Sequence, residues 1–69
     1  MNANLNNIDW NTEALGSFKV EGGWNIVRKT FDGQFAVISV DGDNKRIVKV
    51  LPTPHRARAY NAAISGQSL

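Results

Sequence analysis

Residues 24–51 form three segments rich in β-branched and aromatic residues, and two Asp-Gly turns separate them. The three segments read "WNIVRKTF", "QFAVISV" and "KRIVKVL". A period of two residues is typical of β-strands, because successive side chains point to opposite faces. Connections this short join antiparallel neighbours. The sequence therefore predicts three consecutive antiparallel strands, and "SFKVEGG" at 17–23 adds a short edge strand as a possible fourth.

The two turns are predicted to differ in length. Asp32-Gly33 predicts a tight hairpin whose two turn residues both have positive φ, whereas "DGDN" at 41–44 predicts a longer connection. The segment "QFAVISV" is apolar on nearly both faces, which places it centrally in the sheet. Strict alternation in the last strand sets one face as Ile47, Lys49 and Leu51, and the other as Arg46, Val48 and Val50.

A helix is predicted after the last strand. Pro52 ends that strand, Thr53 suits the N-cap, Pro54 suits the first helical position, and Gly66 suits the stop. A spacing of 3.6 residues per turn puts Ala57, Tyr60 and Ile64 on the inner side, covering Trp24, Phe35 or their neighbours. The same spacing puts Arg58, Asn61 and Ser65 on the outer side.

The predicted fold class is α+β: an antiparallel sheet of three or four strands, packed by one C-terminal helix. Residues 1–16 are asparagine-rich and predict a polar arm or short helix, with Trp10 and Leu15 as its anchors. One alternative is a loose arm with a single helical turn near residues 12–15. The predicted organisation is this arm, a body at 17–66 and a frayed tail at 67–69.

Composition limits the location of the protein. The chain has 69 residues and no cysteine, so it is one domain without disulfides, as in a reducing compartment. No apolar run approaches a membrane span, and the N-terminus lacks the pattern of a signal peptide. We therefore expect a cytoplasmic protein that has no contact with a membrane.

Basic residues concentrate near the C-terminus. Residues 45–69 contain five of the eight lysines and arginines and no aspartate or glutamate. Such a segment either attracts an anionic partner or forms a solvated edge that aids solubility. The predicted nucleic-acid contacts are Arg28, Lys29, Lys45, Arg46, Lys49 and Arg58. The predicted protein-interface residues are Trp10, Trp24 and Phe31.

The sequence argues against an enzyme and predicts no cofactor or metal. His55 is the one histidine and there is no cysteine, so neither a Cys-His pair nor a multi-histidine metal site can form. "DGDN" lacks the later ligands of a calcium loop, and Gly22-Gly23 lacks the lysine and the helix of a phosphate loop. We interpret both as turns.

The stretch "RARAYNAA" at 56–63 resembles the helix of the plant ethylene-response-factor (APETALA-type) DNA-binding domain, which commonly reads A-A-R-A-Y-D-A-A. The order of three strands and a helix is similar to that family and to the N-terminal DNA-binding domains of tyrosine integrases. The resemblance implies that the sheet enters the major groove. The strands depart from the family pattern, because "QFAVISV" has no charge where the family carries W-x-A-E-I-R.

Two functions remain open at this point. The first is a nucleic-acid-binding module that uses the basic strand edge and the start of the helix. The second is a small inhibitor or regulator that binds a host protein complex, as phage and mobile-element proteins do, for example against CRISPR defence. A homodimer through an exposed edge strand is also left open.

Overall fold

Four antiparallel strands form one sheet, and a single helix packs on one of its faces. The computed structural model describes residues 5–66. The strands are β1 (Gly16–Val20), β2 (Gly23–Lys29), β3 (Phe35–Asp41) and β4 (Asn44–Leu51), in the spatial order β1-β2-β3-β4. The helix α1 spans Pro54–Ile64, and a 3₁₀ turn spans Leu5–Asn7. The predicted α+β class is confirmed, with four strands and with β3 inside the sheet.

The β2–β3 turn is longer than predicted. Gly33 has φ 85°, whereas no non-glycine residue described has positive φ, so Asp32 does not share the left-handed conformation. The Thr30 N–H donates to the Gln34 carbonyl (2.9 Å) and the Gly33 N–H to the Thr30 carbonyl (3.3 Å). A turn followed by a left-handed glycine is the usual three-residue hairpin loop. The Thr30 hydroxyl stabilises this loop, because it accepts from the Gln34 N–H (2.8 Å) and donates to Asp32.

The β3–β4 turn is shorter than predicted. Asp41 pairs with Asn44, which leaves only Gly42 and Asp43 between the strands. The prediction that "DGDN" forms the longer connection is therefore wrong. Asp41 and Asn44 extend the strand ladder instead of the turn, since their backbones continue the antiparallel pairing.

A β-bulge changes the facing of β4. Ile38 pairs with Ile47, but the neighbouring Val37 pairs with Lys49, so Val48 has no direct partner. An extra residue in one strand shifts the alternation beyond it. Ile47 and Val50 consequently pack on one side of the sheet, and Val48 packs on the other. The strict alternation predicted for this strand is wrong for that reason.

The helix begins where the sequence predicts, but its buried side differs. Thr53 Oγ1 accepts a hydrogen bond from the Arg56 N–H (3.2 Å), and Pro54 opens the helix. Ala57 is fully buried, but Ile64, predicted to face inward, is 41% exposed. Asn61, predicted to face outward, is fully buried.

Polar contacts across the interface explain the altered helix facing. Asn61 Nδ2 donates to the Asn25 carbonyl of β2 (3.1 Å), and Asn25 Nδ2 donates to Ser65 Oγ (2.9 Å). Buried polar groups need such partners, and here helix and strand provide them for each other. A helical wheel based on apolar residues alone does not predict that Asn61 and Ser65 face the sheet.

Apolar side chains pack on both sides of the sheet. The side that α1 covers, here called the helix side, has a core of Val27, Val37 and Ala57 with Phe35, Val48, Leu51 and Tyr60. The opposite side, here called the open side, has a core of Ile8, Ala36 and Ile38 with Ile26, Val40, Ile47 and Val50. Phe35 lies under the helix as predicted.

The N-terminal segment is held against the end of β2. Ile8 forms an antiparallel bridge with Thr30, and the Asp9 N–H donates to the Lys29 carbonyl (2.9 Å). Ile8 is 1% exposed, whereas Trp10 and Leu15, the predicted anchors, are 39% and 38% exposed. Ile8 is therefore the anchor, because its side chain fills the core of the open side.

Residues 11–15 have no helical turn, which makes the alternative of a turn near residues 12–15 wrong. Residues 1–4 of the predicted arm and the predicted frayed tail at 67–69 lie outside the described residues. Within the described range 5–66, no helix has the length and apolar character needed to span a membrane.

Candidate functional site

The open side of the sheet displays three rows of side chains that cross the strands. Antiparallel partners share a face, so the pairing defines each row. The first row is Lys19, Trp24, Val40 and Lys45; the second is Ser17, Ile26, Ile38 and Ile47; the third is Arg28, Ala36 and Val50. These rows are here called the open face. Ile8 packs against the second and third rows, whereas the first row lies at the far end of the sheet.

Trp24 is the largest exposed side chain in the first row. It pairs with Lys19 on one side and Val40 on the other, and it is 45% exposed. The Nζ of Lys19 lies 5.4 Å from the centroid of the indole ring. Of the alternatives given for what α1 covers, Trp24 is not covered, because Asn25 occupies the helix side of β2 at this point and alternation turns Trp24 away.

Trp10 and Arg28 form a second contact between a cation and an aromatic ring. Arg28 Cζ lies 5.3 Å from the centroid of the Trp10 ring, and Arg28 Nη1 donates to the Thr12 carbonyl. The indole Nε1 of Trp10 donates to the Leu5 carbonyl (3.3 Å). These contacts hold the N-terminal segment beside the third row, with the ring of Trp10 still 39% exposed.

The open face combines positive charge with exposed apolar surface. Its three rows contain Lys19, Arg28 and Lys45 and no aspartate or glutamate. Ile26, Val40 and Ile47 are only partly buried there. An aromatic ring in a row that also carries two lysines suits stacking on a base with contact to phosphates. It also suits anchoring on a protein, since tryptophan is enriched among residues that dominate binding energy.

The structure does not bring the six predicted nucleic-acid contacts onto one surface. Arg28 and Lys45 lie on the open face. By their strand partners, Lys29, Arg46 and Lys49 lie on the helix side. Arg58 lies on α1 beside Gly16 of β1, at the opposite edge from β4. The basic stretch 45–49 therefore divides its charges between both sides of the sheet.

Phe31 is the most exposed of the three predicted interface aromatics. It is 65% exposed in the β2–β3 turn, and its N–H donates to the Asn7 carbonyl (2.9 Å). It lies beyond the third row, at the opposite end of β2 from Trp24. Trp10, Trp24 and Phe31 are all exposed, but only Trp24 is part of a cross-strand row.

Sequence reasoning missed Lys19 as a candidate contact. Val20 pairs with Gly23, so the β1–β2 turn contains two residues and sets Lys19 opposite Trp24. A two-residue turn at Glu21 and Gly22 was the signal that would have found this pair. Val40 and Ile47 were missed as surface residues because an apolar strand segment is usually read as core.

The described residues offer no metal centre. Residues 5–66 contain no group of three or more histidine, cysteine, aspartate or glutamate side chains placed to hold an ion. A hydrogen bond from the Thr30 hydroxyl lowers the pKa of Asp32 below its ordinary value of 3.8. Asp32 is fully exposed in its turn, and its hydrogen bonds belong to the loop that joins β2 and β3.

Comparison of the chain with protein-family models, with curated proteins and with solved structures finds no match.

Proposed function

We propose that this chain is a non-enzymatic, cytoplasmic binding module that binds nucleic acid through the open face. The observation that carries the proposal is the first row, in which an exposed indole lies beside Lys19, and Lys45 follows on the far side of Val40. The proposed site keeps Arg28 and Lys45 from the sequence-based set and adds Lys19 and Trp24. The proposed contact surface is therefore the face of the sheet, whereas the sequence predicted the strand edge.

Each part of the first row has a separate task. Lys19 and Lys45 lie on the two edge strands, about 14 Å apart across three strand spacings. Their ammonium groups neutralise phosphates and release counterions, which provides affinity without sequence preference. The Trp24 ring between them offers a stacking surface for one base. Val40, together with Ile47 of the second row, supplies apolar contact for the sugar and the base edge.

A second candidate is binding to a host protein complex, as an inhibitor or regulator. The observation that favours it is the partly exposed apolar patch of Trp24, Ile26, Val40 and Ile47. Sheet faces of this composition are unusual on a surface that contacts only water. A tryptophan in the middle of an apolar patch is typical of a protein interface.

One experiment separates the two candidates. Fluorescence anisotropy with labelled mixed-sequence oligonucleotides at low salt measures nucleic-acid binding directly. We expect log affinity to fall linearly with log salt concentration. Absence of binding to any oligonucleotide, together with nuclease-resistant capture of one stoichiometric host complex, would replace the first candidate with the second.

In the described residues, β1 and β4 form the two edges of the sheet. A homodimer formed through one of these edge strands stays a prediction. The β4 edge carries a bulge at Val48 and the side chains of Lys45, Arg46 and Lys49. Bulges and lysines on an edge strand oppose pairing with a second sheet. Sedimentation at micromolar concentration distinguishes monomer from dimer.

A further inference from the structure

A cavity of about 240 Å³ lies on the helix side, between the edge strand β1 and the helix α1. It is lined by Gly16, Phe18, His55, Arg58, Ala59 and Asn61. This cavity, here called the β1–α1 cavity, is on the other side of the sheet from the open face. Any ligand there is independent of the proposed nucleic-acid contact.

The cavity exists because small residues meet where the helix crosses β1. A Cβ atom on Gly16 would lie 3.4 Å from Arg58 Cγ, so the stem of Arg58 rests on the bare backbone of Gly16. Ala59 adds only a methyl group from α1. The remaining space is open between this contact and the partly buried ring of Phe18.

Charge and hydrogen bonding define the chemistry of the lining. The side chains of Arg58 and His55 have no hydrogen-bond or ion-pair partner among the described residues, and both residues are exposed. No aspartate or glutamate lines the cavity. An unpaired guanidinium has a fixed fork of donors that matches a carboxylate in two parallel hydrogen bonds.

Asn61 also lines the cavity, at a fully buried position. Its Nδ2 donates to the Asn25 carbonyl (3.1 Å). Its Oδ1 is buried and has no hydrogen-bond donor among residues 5–66. This oxygen is shielded from solvent, and a carboxylate has no hydrogen to donate to it, so Asn61 contributes packing surface to the cavity and no polar contact to the ligand.

We propose that the β1–α1 cavity binds a small organic carboxylate that carries an apolar ring. The carboxylate pairs with the guanidinium of Arg58, and the ring packs between Phe18 and Ala59. The volume lies below the range of about 300–1,000 Å³ typical of sites for drug-sized ligands. The ligand is therefore a single-ring compound and not a nucleotide or a peptide.

Benzoate is the probe for this site, and benzamide is its uncharged counterpart of nearly equal shape. We expect millimolar benzoate to produce saturable shifts in the ¹H–¹⁵N spectrum at the backbone amides of Gly16, Phe18 and Ala59. Benzamide is expected to bind at least about tenfold more weakly, since it lacks the charged hydrogen bonds to Arg58. Acetate keeps the charge but lacks the ring, so it is expected to bind more weakly than benzoate because it buries less apolar surface.

Two variants on α1 form a matched pair. Arg58→Gln is expected to raise the Kd for benzoate about tenfold. Arg56→Gln makes the same charge change on an exposed residue outside the lining, and it is expected to leave the Kd unchanged. Ala59→Leu fills the cavity with a good helix former, so it should abolish the shifts and keep the dispersed spectrum of a folded chain.

Three results would overturn the proposal. The first is the absence of shifts at the lining residues with benzoate. The second is equal affinity for benzoate and benzamide, which would remove the role of the charge. The third is an equal loss in Arg58→Gln and Arg56→Gln, which would indicate a general effect of net charge.

Discussion

Lys19 of β1 lies directly opposite Trp24 of β2, with its Nζ 5.4 Å from the centroid of the indole ring. The pair forms because the two-residue connection between the strands fixes the register. A cation over an aromatic ring stabilises an exposed pair by about 0.5–1 kcal/mol. The contact holds the ring of Trp24 in place on the open face while leaving 45% of the residue exposed.

Replacing Trp24 by alanine should weaken oligonucleotide binding and leave the fold intact. Stacking of a base on an aromatic side chain is worth about 1–3 kcal/mol, so the measured affinity should fall by that amount. The free energy of unfolding in urea should fall by no more than about 1 kcal/mol, from the lost contact with Lys19. Phe31→Ala is the control, because Phe31 is more exposed but lies outside the open face; an equal loss of affinity in both variants would contradict the assignment of Trp24.

Lys45 and Lys49 offer a test of which side of the sheet contacts phosphates. Both are exposed lysines of β4, but Lys45 pairs with Val40 on the open face and Lys49 pairs with Val37 on the helix side. Lys45→Ala should reduce the slope of log affinity against log salt by about 0.7–0.9, the value for one phosphate contact. Lys49→Ala should leave the slope unchanged. The reverse order would place the contact surface on the helix side.

Ile8→Ala should destabilise the whole domain. Ile8 is 1% exposed and completes the core of the open side with Ala36 and Ile38. Truncating a buried isoleucine costs about 2–5 kcal/mol, which is comparable to the total stability of so small a domain. Leu15→Ala, at a residue 38% exposed, should cost less than about 1 kcal/mol. Equal midpoints of urea unfolding for the two variants would show that the N-terminal segment is not part of the core.

Gly23→Ala should be more damaging than its size suggests. A Cβ atom on Gly23 would lie 1.8 Å from the carbonyl oxygen of Val40, which is a backbone atom of the neighbouring strand. The strands must separate to admit a methyl group, at a cost of at least about 2–3 kcal/mol. Ser17→Ala, in the exposed part of β1, is the control and should change stability by less than about 0.5 kcal/mol. A Gly23→Ala variant as stable as this control would contradict the close approach.

The carboxyl of Asp32 should titrate at a lower pH than an isolated aspartate. Hydrogen bonding from Thr30 lowers its pKa, so the stability that this contact contributes is present at neutral pH and is lost as the pH falls through the lowered pKa. Thr30→Val removes the donor and should raise the pKa of Asp32 toward 3.8. Thr30→Ser keeps the hydroxyl and should leave it low. The pKa of Asp32 in each variant is measured from its carboxyl ¹³C chemical shift as a function of pH. Identical pKa values in the two variants would exclude the hydrogen bond from Thr30 as the cause of the lowered pKa.

Local patterns in the sequence were enough to locate β2, β3, β4 and α1. The alternation in β2 and β3 predicted the strands, and Thr53, Pro54 and Gly66 predicted the limits of the helix. Alternation also placed Trp24, Ile26 and Arg28 on one face of β2 correctly. Each of these predictions depends only on residues that are close together along the chain, so no tertiary contact was needed to make it.

Contacts between distant residues decided which faces became buried. Asn61 is buried because Asn25, far away in the sequence, accepts its hydrogen bond, and a helical wheel contains no term for such a partner. The bulge at Val48 reverses the facing of β4 beyond it, and nothing in "KRIVKVL" itself marks the extra residue. These long-range contacts affected which residues make up the candidate site more than they affected the type of fold.

The sequence by itself therefore determined that this chain forms an antiparallel sheet with one helix, that it carries excess positive charge near its C-terminus, and that its aromatic residues are few. Only the tertiary structure decided that Lys19, Trp24 and Lys45 share one row while Arg46 and Lys49 lie on the other side. The physical reason is that strand register and the choice of covered face arise from packing of the whole domain, since α1 and Ile8 each take one side of the sheet.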